Sequence, residues 1–315
     1  MQNVPAKVEI RAALERISPF IHRTPVLTST TIDSRLGGEI FFKCENFQKI
    51  GAFKIRGALN VLLQMDPNLL KQGVCTHSSG NHAQAVAMGA KMLGIPAIIV
   101  MPSSAPAVKQ AAVAGYGAEI RLCEPTLAAR ESTVEEVIQE TGAQFIHPYD
   151  DYGIITGQAT CALELIEDVP DLDIVMAPVG GGGLLAGTAL SVHYFKPTTK
   201  VIAGEPKGAD DAYRSFQDKT LHPSVSPNTI ADGLLTSLGK KNFPILLDHV
   251  SEILLASESQ IRDAMRLIWE RMKIIIEPSC AVPLAALIEN NYDVKGKRVG
   301  IIITGGNVDL GKLPF

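Results

Sequence analysis

From Val74 to Ile303 short apolar runs and helical stretches take turns, and that alternation restricts the fold more than any other feature of the chain. Strands are expected at 74–76, 96–101, 118–122, 144–146, 173–177, 200–203 and 298–303. Helices are expected at 84–93, 106–114, 127–140, 152–166, 184–194, 257–272 and 281–289. Upstream, a helix over 8–17 stops at Ser18-Pro19, an extended segment covers 24–27, a strand covers 38–46 and a helix begins near Ala58. Residues 206–232 read as looser. Such alternation builds mainly parallel sheets with helices on both faces, an α/β architecture. The chain shows neither an internal repeat nor a linker between halves, so a second domain would be inserted rather than strung in tandem.

Composition narrows the function. At 315 residues, with 46% hydrophobic and 20% charged, the chain has material for one large domain or two ordinary ones. A net charge of -4, with no basic run, argues against a nucleic-acid binder. No stretch approaches a membrane span, and the first ten residues lack the apolar core of a secretory leader. Cys44, Cys75, Cys123, Cys161 and Cys280 have no paired spacing, which suits reduced thiols in a cytoplasmic protein.

Chemistry concentrates where strands hand over to helices. Gly51-Ala52-Phe53-Lys54-Ile55-Arg56-Gly57 places Lys54 at such a turn. A helix N-terminus lowers an amine's pKa, Arg56 adds a second cation, and an amine brought toward neutrality can form a Schiff base. The plain alternative is an ordinary surface lysine. The turn Thr76-His77-Ser78-Ser79-Gly80-Asn81-His82 gathers hydroxyls, an amide and imidazoles at a helix start, a setting for a carboxylate or simply a decorated N-cap. Gly180-Gly181-Gly182-Gly183 follows a strand and opens a helix, as a phosphate cradle does. It lacks a following Gly-Lys-Ser/Thr and the dinucleotide spacing, so a single phosphate fits better. A third turn, Thr304-Gly305-Gly306-Asn307, ends a buried strand and is ambiguous alone.

Together these residues resemble the fold-type II enzymes of pyridoxal 5'-phosphate (PLP), in the branch of serine racemases and short serine/threonine dehydratases. The markers are residues 47–57, 78–82, 180–183, 205–211 and 304–307, in the right order along essentially the whole chain. The resemblance implies two open, twisted, mainly parallel sheets, with a small mobile domain at 70–148 inserted into a large one at 1–69 and 149–315. It implies that Lys54 carries the cofactor as a Schiff base and later moves the α-proton. Phe53 would pack beside the pyridine ring, Asn81 would bond the 3'-oxygen, Gly180 to Gly183 would hold the phosphate, and Thr304 would face the ring nitrogen. Ser78, Ser79, Asn81 and His82 would enclose the substrate carboxylate, with Ser79 as acid/base on the face opposite Lys54.

A neutral partner at the ring nitrogen favours departure of a β-hydroxyl over a long-lived carbanion. The implied reaction is therefore elimination from a small β-hydroxy amino acid, giving a 2-oxo acid and ammonia. Serine racemisation is the second activity, through Ser79. Arg130 would pair with a second carboxylate, adding 3-hydroxyaspartate to serine and threonine as substrates, or else belongs to a solvated helix face. Tyr149, Asp150 and Asp151 depart from an asparagine of some racemases. Glu205, the Ala209 carbonyl and Asp211 match the branch's site for Mg2+, Ca2+ or Mn2+, with a solvated acidic turn as the alternative. The branch also implies a homodimer and a nucleotide effector near Lys49, Gln84, Lys109 and Tyr116, although Ile50 stands where threonine is usual. No C-terminal regulatory domain, and so no isoleucine feedback, is expected. Against this stand β-replacement, a sensing domain without catalysis and a nicotinamide dehydrogenase, the last lacking its glycine fingerprint.

Overall fold

The computed structural model describes residues 3–105 and 107–315, so the expected helix start at Pro106 lies outside the described residues. The strands are β1 (Val26–Thr28), β2 (Glu39–Cys44), β3 (Val74–His77), β4 (Ala97–Pro102), β5 (Glu119–Cys123), β6 (Gln144–Phe145), β7 (Ile174–Pro178), β8 (Lys200–Pro206), β9 (Glu252–Ala256) and β10 (Arg298–Ile303). They form a six-stranded sheet ordered β1-β2-β10-β7-β8-β9 and a four-stranded sheet ordered β5-β4-β3-β6. Only β1 runs antiparallel to its neighbour. The expected two-sheet α/β fold is present, and the smaller sheet draws all its strands from residues 74–145.

Burial explains why the central strands read as unbroken apolar runs. β7 is buried along its whole length, and β8 and β10 along all but their first residue. One face of the large sheet packs on the helices Tyr152–Asp168 and Gly183–Phe195, and the other on Pro278–Glu289. There Gly204 of β8 lets that helix close in: a Cβ would stand 2.7 Å from the Pro283 Cα. The helix Lys54–Leu62 packs between Tyr152–Asp168 and Asn81–Leu93, in an apolar cluster that takes in β3 and β4 of the smaller sheet.

Elements missed in the sequence lie at the large sheet's edge. β9 has mixed burial and no clean alternation, and the helices Asp211–Asp218 and Asn242–His249 are single eight-residue pieces. Short elements give too few turns for a periodic signal. Parallel pairing has the larger consequence: β2, β10, β7 and β8 all deliver their carboxyl ends to one edge. The Lys54 turn, Thr304, the four glycines and Ala209 all follow those ends.

Candidate active site

The Lys54 turn is tightly built. After β2 the chain passes through Ile50 (φ 61°) and Gly51 (φ 68°), and a left-handed β-branched residue is a strained choice. That strain is held from outside, because the Asn307 side-chain amide donates to the Ile50 carbonyl at 2.8 Å. Ala52 bridges to Gly305, and the Phe53 N–H donates to the Thr304 carbonyl at 3.0 Å. Lys54 then opens its helix, with Nζ donating to the Pro148 carbonyl at 2.8 Å. Burial lowers its pKa to about 8, against the opposing pull of Glu277.

The direction of that shift matches expectation, but Arg56 does not cause it. Arg56 is wholly buried and points away into an ion cluster, bonded to both oxygens of Glu45 and of Glu164, each at 2.8 Å. Its charge is neutralised there. Desolvation is what readies the amine.

In the loop after β3, the Gly80 N–H turns back to the Ser78 hydroxyl at 3.3 Å, while the Ser79 hydroxyl makes no hydrogen bond among the described residues. The Asn81 amide donates to Glu277 at 2.9 and 3.1 Å, and its oxygen accepts from Asn307 at 2.8 Å. His82 is buried beneath the loop with Nε2 bonded to the Ile146 carbonyl at 3.0 Å. Burial, with Lys54 nearby, holds its pKa well below the ordinary value, so the ring is neutral and its Nδ1 has no partner.

The four glycines serve packing as well as any ligand. A Cβ on Gly181 would lie 2.4 Å from the Tyr149 ring, and one on Gly183 would lie 2.8 Å from the Tyr149 carbonyl. Gly182 caps the helix Gly183–Phe195 at φ +90°. The Asn242 amide and the Gly239 N–H grip the Gly181 carbonyl at 2.6 and 3.0 Å. The N–H groups of Gly180 to Gly183 bond to no acceptor among the described residues. Buried donors need partners, so a rigid row of free N–H groups at a helix start fits a phosphate.

Three features went unread in the sequence. Glu277 stands alone in an apolar run before Pro278, and is buried; burial and Asp232 raise its pKa to about 7. That isolated acid was the available signal. His77, Phe145, His147 and Tyr149 form a ladder of rings with centroids 5.0–5.8 Å apart. His147 Nδ1 accepts the N–H groups of Tyr149 and Asp150, and burial lowers its pKa to about 4. Phe145, His147 and Tyr149 stand at alternate positions of one stretch, a local signal that was available, while His77 joins them from the end of β3.

Arg130 is half-buried on the helix Leu127–Thr141, donating to the Thr126 carbonyl at 3.3 Å. It pairs with no carboxylate among the described residues, and its charge is felt at His77 and Tyr149. Glu205 and Asp211 are buried. Glu205 accepts the N–H groups of Ala212 and Tyr213 at 2.9 and 2.7 Å, and so caps the helix Asp211–Asp218. Asp211 Oδ2 accepts the Leu238 N–H at 2.9 Å, while its Oδ1 is buried without a partner. Among the described residues, no group of three or more His, Cys, Asp or Glu side chains could hold a metal ion.

A partly desolvated amine bonded to Pro148, whose neighbour Tyr149 packs on a phosphate-type glycine bend, in a fold of two mainly parallel sheets, defines an α/β enzyme of fold type II that works through pyridoxal phosphate. The chain belongs to the family of pyridoxal-phosphate dependent enzymes, whose model matches residues 17–305. It is 50% identical over 312 residues to the beta-hydroxyaspartate dehydratase of Paracoccus denitrificans, covering 99% of each chain. The crystal structure of serine racemase from Dictyostelium discoideum superposes with a TM-score of 0.93 at 48% identity, covering 97% of this chain and 99% of that one. The crystal structure of T.th. threonine deaminase gives the same TM-score, 0.93, at 42% identity, with coverage of 97% and 99%.

Proposed function

We propose that this enzyme eliminates water from a small β-hydroxy amino acid, releasing a 2-oxo acid and ammonia, with 3-hydroxyaspartate as a substrate beside L-serine and L-threonine. The observation that carries the reading is Lys54: a primary amine at a helix start, brought to a pKa of about 8 and bonded to the Pro148 carbonyl. Bound there, pyridoxal phosphate supplies an electron sink for the charge left when Cα loses its proton.

The chain's own residues supply the rest. The free N–H groups of Gly180 to Gly183 would bind the phosphate, and the Lys54 Nζ would take the α-proton. Phe53 lies beside that amine, with its ring centroid 5.3 Å from Nζ. Asn81, held by Glu277 and Asn307, presents its amide edge to the 3'-oxygen. Thr304, neutral and buried, faces the ring nitrogen. Ser78, Ser79, Asn81 and His82 surround the substrate carboxylate, His82 by fixing the loop to Ile146. Arg130, with no carboxylate of its own, takes the second carboxylate of 3-hydroxyaspartate. The likeness to a beta-hydroxyaspartate dehydratase supports that choice.

Serine racemisation is the second reading, favoured by the unengaged Ser79 hydroxyl and by the likeness to serine racemases. Residues 70–148 act as the mobile domain that closes over the substrate. The orphaned Asp211 Oδ1, with Glu205 and the Ala209 carbonyl, supports a magnesium-type cation. Burial raises both acids' pKa values, a cost that a bound cation would offset. A homodimer completes the reading, and a nucleotide effector is left out of it, since Lys109 pairs with Asp232 and Gln84 is buried. A cavity of about 390 Å³ beside Gly51 and Asn307, flanked by the exposed Phe47 and Ile275, suits such a junction. No helix among the described residues is long and apolar enough to cross a membrane.

The deciding experiment incubates the enzyme with L-serine, D-serine, L-threonine and the 3-hydroxyaspartate diastereomers, with and without magnesium, and measures 2-oxo acid and product chirality. Oxo-acid release from 3-hydroxyaspartate with little D-serine from L-serine supports the first reading. Fast inversion of serine with little oxo acid would select the second.

A further inference from the structure

The strap Thr304-Gly305-Gly306 is stitched from both sides. Toward the Lys54 turn, the Thr304 carbonyl accepts the Phe53 N–H, and the Gly306 N–H donates to the Gly51 carbonyl at 2.9 Å. Toward the opposite side stands Cys280, wholly buried in the first turn of the helix Pro278–Glu289. Its thiol donates to the Gly305 carbonyl at 2.8 Å, and its sulfur accepts the Gly305 N–H at 3.3 Å. The same carbonyl also takes the Glu277 N–H at 3.1 Å. Gly305 has no other seat, since a Cβ there would meet Ala52 and Glu277 at 3.0 Å each.

We propose that Cys280 is a positioning residue for the reaction: by clamping Gly305 it fixes the direction of the Thr304 hydroxyl toward the cofactor's ring nitrogen. The inference rests on Thr304 being the partner of that nitrogen. The thiol proton is spent on the Gly305 carbonyl, and the sulfur's lone pairs face the Gly305 N–H. Sulfur accepts weakly. Its effect on Thr304 therefore runs through the backbone: with Gly305 held at both its N–H and its carbonyl, the residue before it cannot swing, and the direction of the Thr304 side chain is set. Cys280 as a mere core filler would need none of these bonds.

The test uses Cys280→Val, Cys280→Ala and Cys280→Ser beside Thr304→Val. Each is measured for apo-protein melting, for the visible absorption of the loaded enzyme, and for kcat and KM. Cys280→Val and Cys280→Ala are expected to shift the absorption in the same direction as Thr304→Val. They should lower kcat about tenfold, the worth of one ordinary hydrogen bond, with KM nearly unchanged. Cys280→Ser keeps a donor and an acceptor for Gly305 and should recover most of both. A parent-like spectrum and kcat in Cys280→Ala, while Thr304→Val alters both, would overturn the positioning role alone. If Thr304→Val itself leaves spectrum and kcat untouched, the ring-nitrogen assignment falls instead. Should Cys280→Val fail to fold, the contrast between alanine and serine decides: changed in alanine and restored in serine supports the role, parent-like in both refutes it.

Discussion

Replacing Arg56 by methionine isolates the energetic cost of the buried charges behind the Lys54 helix. Lys43, Glu45 and Arg56 have no side-chain exposure and Glu164 only 2%, so two cations face two anions out of water. Arg56 makes the four carboxylate bonds and a fifth to Thr160 at 3.2 Å. Without it Glu45 keeps only Thr24, and Glu164 keeps Lys43 at 2.9 Å, leaving the cluster one negative charge in excess. Removing one partner of such a pair costs about 3–5 kcal/mol. At roughly 2 °C per kcal/mol for a chain of this length, thermal unfolding of the apo-protein should fall by 6–10 °C. Arg56→Met with Glu45→Met restores the balance and should return to within about 1–2 kcal/mol of the parent. Burial pushes the Glu164 carboxyl up, but Arg56 and Lys43 outweigh it and hold the carboxyl below its ordinary value. Its contribution is therefore present above the unfolded pKa and is lost as pH falls through the folded one. Arg56→Met should flatten that acid limb. Urea and thermal melts between pH 3 and 8 measure all of this. A single-variant loss below about 1 kcal/mol, or a double variant no better than the single, would refute the charge-balance argument.

Four further perturbations follow from the site. Lys54→Ala should abolish borohydride trapping of the cofactor on the peptide containing residue 54 and slow elimination by roughly 10²–10⁴-fold; retained labelling elsewhere at full rate would contradict its role. Gly181→Ala drives a Cβ into the Tyr149 ring and should cost about 1–3 kcal/mol by thermal melt, with weaker cofactor binding in a fluorescence titration. Glu277, whose pKa of about 7 lies above its unfolded value, binds a proton on folding, so its contribution to apo-protein stability fades as pH rises through 7. Glu277→Gln should narrow the difference between melts at pH 5.5 and 8 by about 1–3 kcal/mol. Millimolar magnesium should raise the melting temperature of the parent but not of Asp211→Asn; an equal rise in both counts against the cation site.

Much of the proposed site is legible along the chain because its residues sit where local grammar changes. The Lys54 turn, residues 78–82, the four glycines and Thr304 each stand at a strand-to-helix junction or a strand end, and their residue types limit what each turn can bind. The cause of Lys54's lowered pKa was misjudged for a physical reason. Sequence puts Arg56 two positions away, but a helix turns that side chain to the far side, where Glu45 and Glu164 absorb its charge. Glu277 was passed over because burial, which gives it a pKa of about 7, depends on neighbours distant in the chain.

The sequence alone determined the alternation that commits this chain to parallel sheets, and the family markers that lie along it. Those follow from propensity and pattern, which act over a few residues. Tertiary structure decided what those turns share. β10 enters between β2 and β7, from the far end of the chain, and so sets Thr304 against Phe53 and Cys280 behind Gly305. Tertiary packing also seats Tyr149 on Gly181 and closes Arg56 inside four carboxylate bonds. Desolvation and close approach exist only once distant segments have packed, and here they set which amine has its pKa lowered and which charges are silent.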